Sequence, residues 1–215
     1  AAPWKRVAKN GDEIAENAEV EVLDNTEAKY ISRGGLKLEG ALRATGLDVT
    51  GLRCLDVGQS TGGFTDCLLQ RGAAHVVGVD VGHDQLHARM RADSRVTCIE
   101  GVNARTLAQI GEPFDLIVAD VSFISLTKVL LQWPALLTAK GRVLSLVKPQ
   151  FEVGADNLAR GGIVRDVSLY ATVEATIRTA CAQAGLRVLD YFDSAITGTD
   201  GNREFFVYAV AAEQL

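Results

Sequence analysis

Residues 54–66 read CLDVGQSTGGFTD, and this stretch decides the fold. An apolar run of strand character passes into a glycine-rich turn, and a helical pattern begins at Gly63. A strand, a tight turn and a helix start in that order place backbone amides around the polar part of a ligand. Gly58 permits the turn, while Gly62 and Gly63 let a ligand approach the backbone. The second strand, His75–Val81, reaches Asp80, 22 residues beyond Gly58. An acid at that spacing accepts hydrogen bonds from the ribose hydroxyls of an adenosine-bearing ligand. A bare connection with a strand-end cap explains each feature singly, but not their spacing.

Outward from this motif the chain alternates. Strand patterns cover Arg53–Val57, His75–Val81, Val96–Gly101, Phe114–Val121, Arg142–Val147, Leu186–Phe192 and Glu204–Val210. Helical patterns cover Gly63–Arg71, His83–Arg91, Ser125–Leu137 (interrupted near Pro134) and Val167–Ala184, whose Leu169, Val173, Ile177 and Ala180 share one face. Alternation predicts an α/β fold of Rossmann-like type, with helices on both faces of a mostly parallel sheet. The last two strands have no helix between them and should form a hairpin, giving seven strands with an antiparallel last one. A further helix, Ser32–Thr45, precedes the block, with Ser32 as its expected cap and Leu38, Ala41, Leu42 and Thr45 on one face. EVEVLD (19–24) suits a lone strand, and residues 152–165 form a loop long enough to act as a lid.

The donor is narrowed by Ser60, which stands where a nicotinamide-binding G-x-G-x-x-G turn has its middle glycine. A cationic sulfonium such as S-adenosylmethionine needs no pyrophosphate cradle. The expected donor-binding positions are Gly58, Ser60, Thr61, Gly62, Gly63, Phe64, Asp80, Val81 and Asp120. Asn103 and Ala104, after the third strand, either reach the adenine or form a helix cap.

Two neighbouring strands end in charge. FDLIVAD finishes with Asp120, and RVLSLVKPQFE carries Lys148 at the end of its apolar run. In open α/β sheets the ligand crevice lies outside the carboxyl ends of the parallel strands. Each residue alone is an ordinary solvated strand end; together, beside a donor turn, they are catalytic candidates. The hairpin returns Glu204 to the same rim. Lys37 is either a second cation of that rim or an ordinary exposed helix lysine. Lys148 has two roles open, general base or positively charged orienter, according to whether burial and Lys37 or the two carboxylates govern its protonation.

Bulk properties set limits. The chain has 215 residues and a net charge of −5, with residues 11–30 contributing −6 and the rest +1. Global acidity therefore does not exclude an RNA partner; arginines near the rim are the candidates, namely Arg33, Arg43, Arg160, Arg165 and Arg203, each equally readable as a surface arginine. Four cysteines without a C-x-x-C pair and three histidines give no basis for a metal site, and suit reduced thiols of a cytoplasmic protein. The chain has no apolar run long enough for a membrane span or a secretory signal. Its one methionine is Met90, so residues upstream of Ala1 are expected to be missing.

Six ordered strings, YISRGGLKL (30–38), DVGQSTGGFTD (56–66), GVDVG (78–82), VADVSFIS (118–125), LVKPQFE (146–152) and TGTDGNREFF (197–206), resemble the TlyA-type haemolysin and ribosomal RNA methyltransferase family, whose core is similar to FtsJ-type 2′-O-methyltransferases. The resemblance spans about Tyr30–Val210. It implies a class I S-adenosylmethionine-dependent methyltransferase fold over residues 30–215, with 1–29 the tail of an RNA-binding module. It further implies a Lys–Asp–Lys–Glu tetrad, here Lys37, Asp120, Lys148 and Glu204, and methyl transfer to a cytidine 2′-hydroxyl of ribosomal RNA or a ribosomal subunit. The readings weighed against this one are a non-enzymatic haemolysin or RNA-binding protein, and a nicotinamide-dependent oxidoreductase. No amphipathic membrane segment supports direct lysis.

Overall fold

A computed structural model describes residues 29–107 and 110–212. The expected strand at 19–24 and the boundary assigned to residues 1–29 lie essentially outside the described residues. A single sheet organises the rest. Its strands are β1 (Arg53–Val57), β2 (His75–Val79), β3 (Val96–Ile99), β4 (Phe114–Ala119), β5 (Leu137–Val147), β6 (Leu186–Asp193) and β7 (Phe205–Ala211), in the order β3-β2-β1-β4-β5-β7-β6. Neighbours from β3 through β5 are parallel, and β7 runs antiparallel to both β5 and β6. The seven strands and the antiparallel last one are as the alternating pattern requires.

Period-two alternation sorts side chains onto two faces. On β4, Ile117 and Ala119 enter one core with Val173, Ile177, Ala180 and Cys181 of α4 (Leu169–Ala184). Leu116 and Val118 enter the other, with Leu38 and Leu42 of α1 (Gly34–Thr45) and Leu68 of α2 (Gly63–Gln70). Each fully buried leucine contributes roughly 1.5–3 kcal/mol of transfer free energy. Because both faces are covered, the central strands read as continuous apolar runs rather than alternating ones.

Four local expectations are corrected. Ser32 does not cap α1; no side chain caps that helix, which starts after Arg33, and Ser32 instead abuts Gly63, where an added Cβ would lie 2.1 Å from its Oγ. The helix expected over His83–Arg91 shrinks to α3 (Ala88–Arg91), because Asp84 adopts φ 56° and His87 supplies the cap. Ser125–Leu137 forms two 3₁₀ segments, Leu126–Lys128 and Leu130–Leu136, with Pro134 inside the second; proline lacks the amide an α-helix would need there. β5 starts five residues earlier than read, with a register shift opposite β4.

Candidate active site

The carboxyl ends of β1, β4 and β5 open onto a cleft of about 410 Å³. Its walls are the Gly58–Thr61 turn with Phe64, the Ser32–Gly34 segment with Lys37, Asp120 and Ser122 beyond β4, Lys148 beyond β5, and Thr197 and Thr199 before β7. Gly58 has φ 81°, and an added Cβ would lie 2.5 Å from the Asp120 carbonyl oxygen, so the turn can pass β4 only as glycine. Gly62, at φ 101°, serves packing: its Cβ would lie 2.8 Å from Leu86. Ser60 and Thr61 remain exposed to the cleft, and no side chain caps the α2 start beside them.

Two ion pairs stand at the same rim. Lys148 Nζ lies 2.6 Å from Asp120 Oδ1 and donates to Ser122 Oγ at 2.8 Å. An ammonium has three donors, so at least one is left for a substrate oxygen. Lys37 Nζ donates to Glu204 Oε2 at 2.5 Å. Lys37 is only 8% exposed, unlike an ordinary helix lysine, because α1 directs it inward against the start of β7. Pairing of Val147 with Phe205 across β5 and β7 brings Glu204 beside Lys148. Burial raises the Glu204 carboxyl above the usual range, Lys37 and Lys148 oppose the rise, and Asp120 adds to it. The four groups thus form one electrostatic unit.

Beyond β2 and β3, the Asp80 carboxylate accepts Ser60 N–H and Gly82 N–H, each at 2.7 Å, tying the second strand to the glycine turn. Val81 is 72% exposed beside it. Asn103 Oδ1 accepts Arg105 N–H and so caps the 3₁₀ turn Ala104–Thr106. These positions lie outside the cleft's walls. Among the arginines, Arg33 lines the cleft, Arg43 sits 3.8 Å from Glu39, and Arg160 and Arg165 are exposed. Arg203 forms a two-point contact with Asp193 at 2.5 and 2.9 Å and packs against Tyr170 and Phe205.

Several residues escaped the sequence reading. Asp56, fully buried in β1, accepts Thr65 Oγ1 at 2.7 Å, and Gln59 Nε2 donates to that hydroxyl at 2.9 Å. Burial first, then the neighbouring carboxylates, push the Asp56 carboxyl up to about 7, against the Thr65 bond. A charge inside an apolar strand was the available signal. Glu152 accepts Ser125 Oγ at 2.6 Å and Leu126 N–H at 2.7 Å. With Lys148, it clamps the 120–126 segment at both ends. Between the clamps, Phe123 stands 91% exposed with φ 62°, its ring 5.2 Å from that of Phe151. A non-glycine residue held at positive φ costs about 1–3 kcal/mol, and such strain gathers at functional sites.

The comparisons with known proteins fit this geometry. A model of FtsJ-like methyltransferases matches residues 30–210. The 16S/23S rRNA (cytidine-2'-O)-methyltransferase TlyA of Mycobacterium tuberculosis is 44% identical over 200 residues, covering 91% of this chain and 74% of that protein. Hemolysin A of Brachyspira hyodysenteriae is 37% identical, covering 95% of this chain and 86% of its own length. The solved S-adenosylmethionine dependent methyltransferase from Mesorhizobium loti is 20% identical over 79% of this chain and 95% of its own, with a TM-score of 0.60, a likeness of fold. A glycine turn at β1, an acid at the end of β2, an antiparallel β7 and a match from Tyr30 to Val210 lead to one assignment: the chain belongs to the FtsJ-like methyltransferase family.

Proposed function

We propose that this chain methylates a ribose 2′-hydroxyl of ribosomal RNA, at cytidine, with S-adenosylmethionine as donor. The carrying observation is the pair of ion pairs, Lys148–Asp120 and Lys37–Glu204, whose lysines line one cleft with the glycine turn. A transferase for a neutral hydroxyl needs charge at the acceptor oxygen and a site for the donor, and both are present.

The donor's fit is supported by the exposed Ser60 and Thr61 at an uncapped helix start, by the Asp80 carboxylate held against the turn, and by exposed Val81, an apolar face for an adenine next to Asp80. Gly58, Ser60, Thr61, Gly62, Gly63 and Phe64 would hold its amino-acid half, Asp120 would flank them, and Asp80, Val81, Asn103 and Ala104 would hold its adenosine. When bound, the donor supplies an electrophilic methyl on a sulfonium. Lys148, fixed by Asp120 and Ser122, presents an N–H or a lone pair to the 2′-oxygen and supports the developing alkoxide. Lys37 and Glu204, buried against each other, keep that oxygen oriented. Positioning of this kind supplies a large share of a barrier reduction. Phe123 presents an open aromatic face beside Ser122, suited to stacking on an unpaired base. Arg33, Arg43, Arg160 and Arg165 would contact phosphates; Arg203, committed to Asp193, would contribute least.

This reading implies a cytoplasmic protein working on ribosomal subunits. Among the described residues no helix is long and apolar enough to cross a membrane. Titration calorimetry with S-adenosylmethionine and NAD tests the donor, and transfer of labelled methyl to unmethylated ribosomal subunits tests the acceptor. Heat with the first ligand only, and label in RNA, are expected. Binding of NAD alone, or label in ribosomal protein, would overturn the reading.

A further inference from the structure

Asn202, a side chain that the proposed catalysis does not use, ties the 155–165 loop to the body. It is 1% exposed, and its polar atoms are committed. Its Oδ1 accepts Val164 N–H at 3.1 Å, and its Nδ2 donates to Gly162 O and to Asp200 Oδ2, each at 2.9 Å. Its backbone N–H donates to Asp200 Oδ1 at 3.0 Å, and its carbonyl accepts Gly198 N–H at 2.9 Å. Asp200 Oδ2 also accepts Gln150 Nε2 at 3.3 Å, two residues after Lys148.

On the loop side, Ala159 N–H donates to Ile163 O at 2.7 Å, and Leu158 and Val164 bridge. A tight turn results, with Arg160 exposed at its tip. On the other side, Asn202 is two residues from Glu204, and the same turn carries the cleft-lining Thr197 and Thr199. An added Cβ at Gly198 would lie 2.7 Å from Asp200 Oδ1 and 2.8 Å from Glu204 Oε1, so this turn presses directly on the site. The loop expected to serve as a lid is therefore latched.

We propose that Asn202 is a positioning residue for the RNA acceptor: it locks the Arg160-bearing turn onto the segment leading to Glu204, so that acceptor backbone and catalytic carboxylate are held by one rigid wall. The inference rests on the RNA methyltransferase reading. Its chemistry is that of phosphate recognition. An exposed arginine discriminates best when its backbone is fixed, and the amide of Asn202 fixes it by satisfying a donor and an acceptor of the same turn.

The test is a double-mutant cycle of Asn202→Ala and Arg160→Ala, with initial rates measured at saturating S-adenosylmethionine against unmethylated ribosomal subunits. Loss of two buried hydrogen bonds at the latch corresponds to on the order of a 10-fold rise in KM for RNA. Arg160→Ala should give a similar rise. Because both act through one turn, the double variant should stay near about 10-fold rather than about 100-fold. Donor affinity by calorimetry should hold in all three variants, and amide exchange at Val164 should accelerate only where Asn202 is replaced. An unchanged KM in Asn202→Ala, an equal loss of donor binding, or additive effects of the two substitutions would overturn the positioning role. No transfer by the wild-type chain would instead sink the methyltransferase reading, and Val164 exchange unaltered by Asn202→Ala would sink the latch by itself.

Discussion

Lys148→Ala removes the cleft-lining amine that lies 2.6 Å from Asp120 and 2.8 Å from Ser122. Its side chain is 12% exposed and that of Asp120 23%, so the orphaned carboxylate can still recruit water. The stability cost should therefore sit near 1 kcal/mol, well below the roughly 3–5 kcal/mol of a fully buried broken pair. The kinetic cost is different in kind. Loss of a positioned proton acceptor costs about 10²–10⁴ in rate, and loss of a fixed charge at a developing oxyanion about 10²–10³. Single-turnover methyl transfer should accordingly fall at least about 100-fold, while calorimetric donor affinity stays within about threefold, because the glycine turn and Asp80 are untouched. Lys148→Arg separates the two roles: arginine keeps the charge but does not act as a base at neutral pH. Retained activity in that variant identifies a fixed charge, and loss equal to that of alanine identifies a base. Donor affinity falling in step with turnover would refute the placement of Lys148 on the acceptor side.

Glu204→Gln leaves Lys37 buried without its partner and should destabilise the fold by roughly 3–5 kcal/mol in chemical denaturation, whereas adding Lys37→Met should restore stability but not methyl transfer. Asp56 carries a folded-state value of about 7 against an unfolded 3.8. The native state thus holds a proton that the unfolded chain has lost, and stability should decline as pH rises between those values and level off above them. Asp56→Asn should remove that decline; an unchanged slope would show that Asp56 titrates normally. Phe123→Gly relieves a positive φ at the cost of the Phe151 contact, so the melting free energy should change by no more than about 1 kcal/mol. RNA affinity should weaken by about 1–3 kcal/mol if the ring stacks on a base, and equal RNA binding would remove that role.

Legibility in the sequence followed the range of the forces involved. The sheet was readable because strand and helix periodicities are local, and the glycine turn with Asp80 was readable because its spacing reflects one strand–turn–helix unit. Lys148, Asp120 and Glu204 were reachable through topology alone, since parallel strands end on one rim and a hairpin returns to it. Helix lengths were not: the left-handed backbone at Asp84 and the missing amide of Pro134 cut short patterns that periodicity extends. The burial of Lys37 and the latch at Asn202 depend on partners 167 and 38 residues away, which no local pattern carries. The pairing of Arg203 with Asp193 across the β6–β7 hairpin likewise lay outside any local pattern.

The proposed product is a ribose oxygen carrying a methyl group. Unmethylated ribosomal RNA, incubated with the chain and labelled S-adenosylmethionine and then hydrolysed completely in alkali, reads it directly. Alkaline cleavage uses the 2′-hydroxyl as nucleophile, so a methylated ribose protects its own phosphodiester bond. Label recovered in alkali-stable dinucleotides with cytidine on the 5′ side is the predicted result. Label released in mononucleotides, as a base methylation would give, would contradict the account.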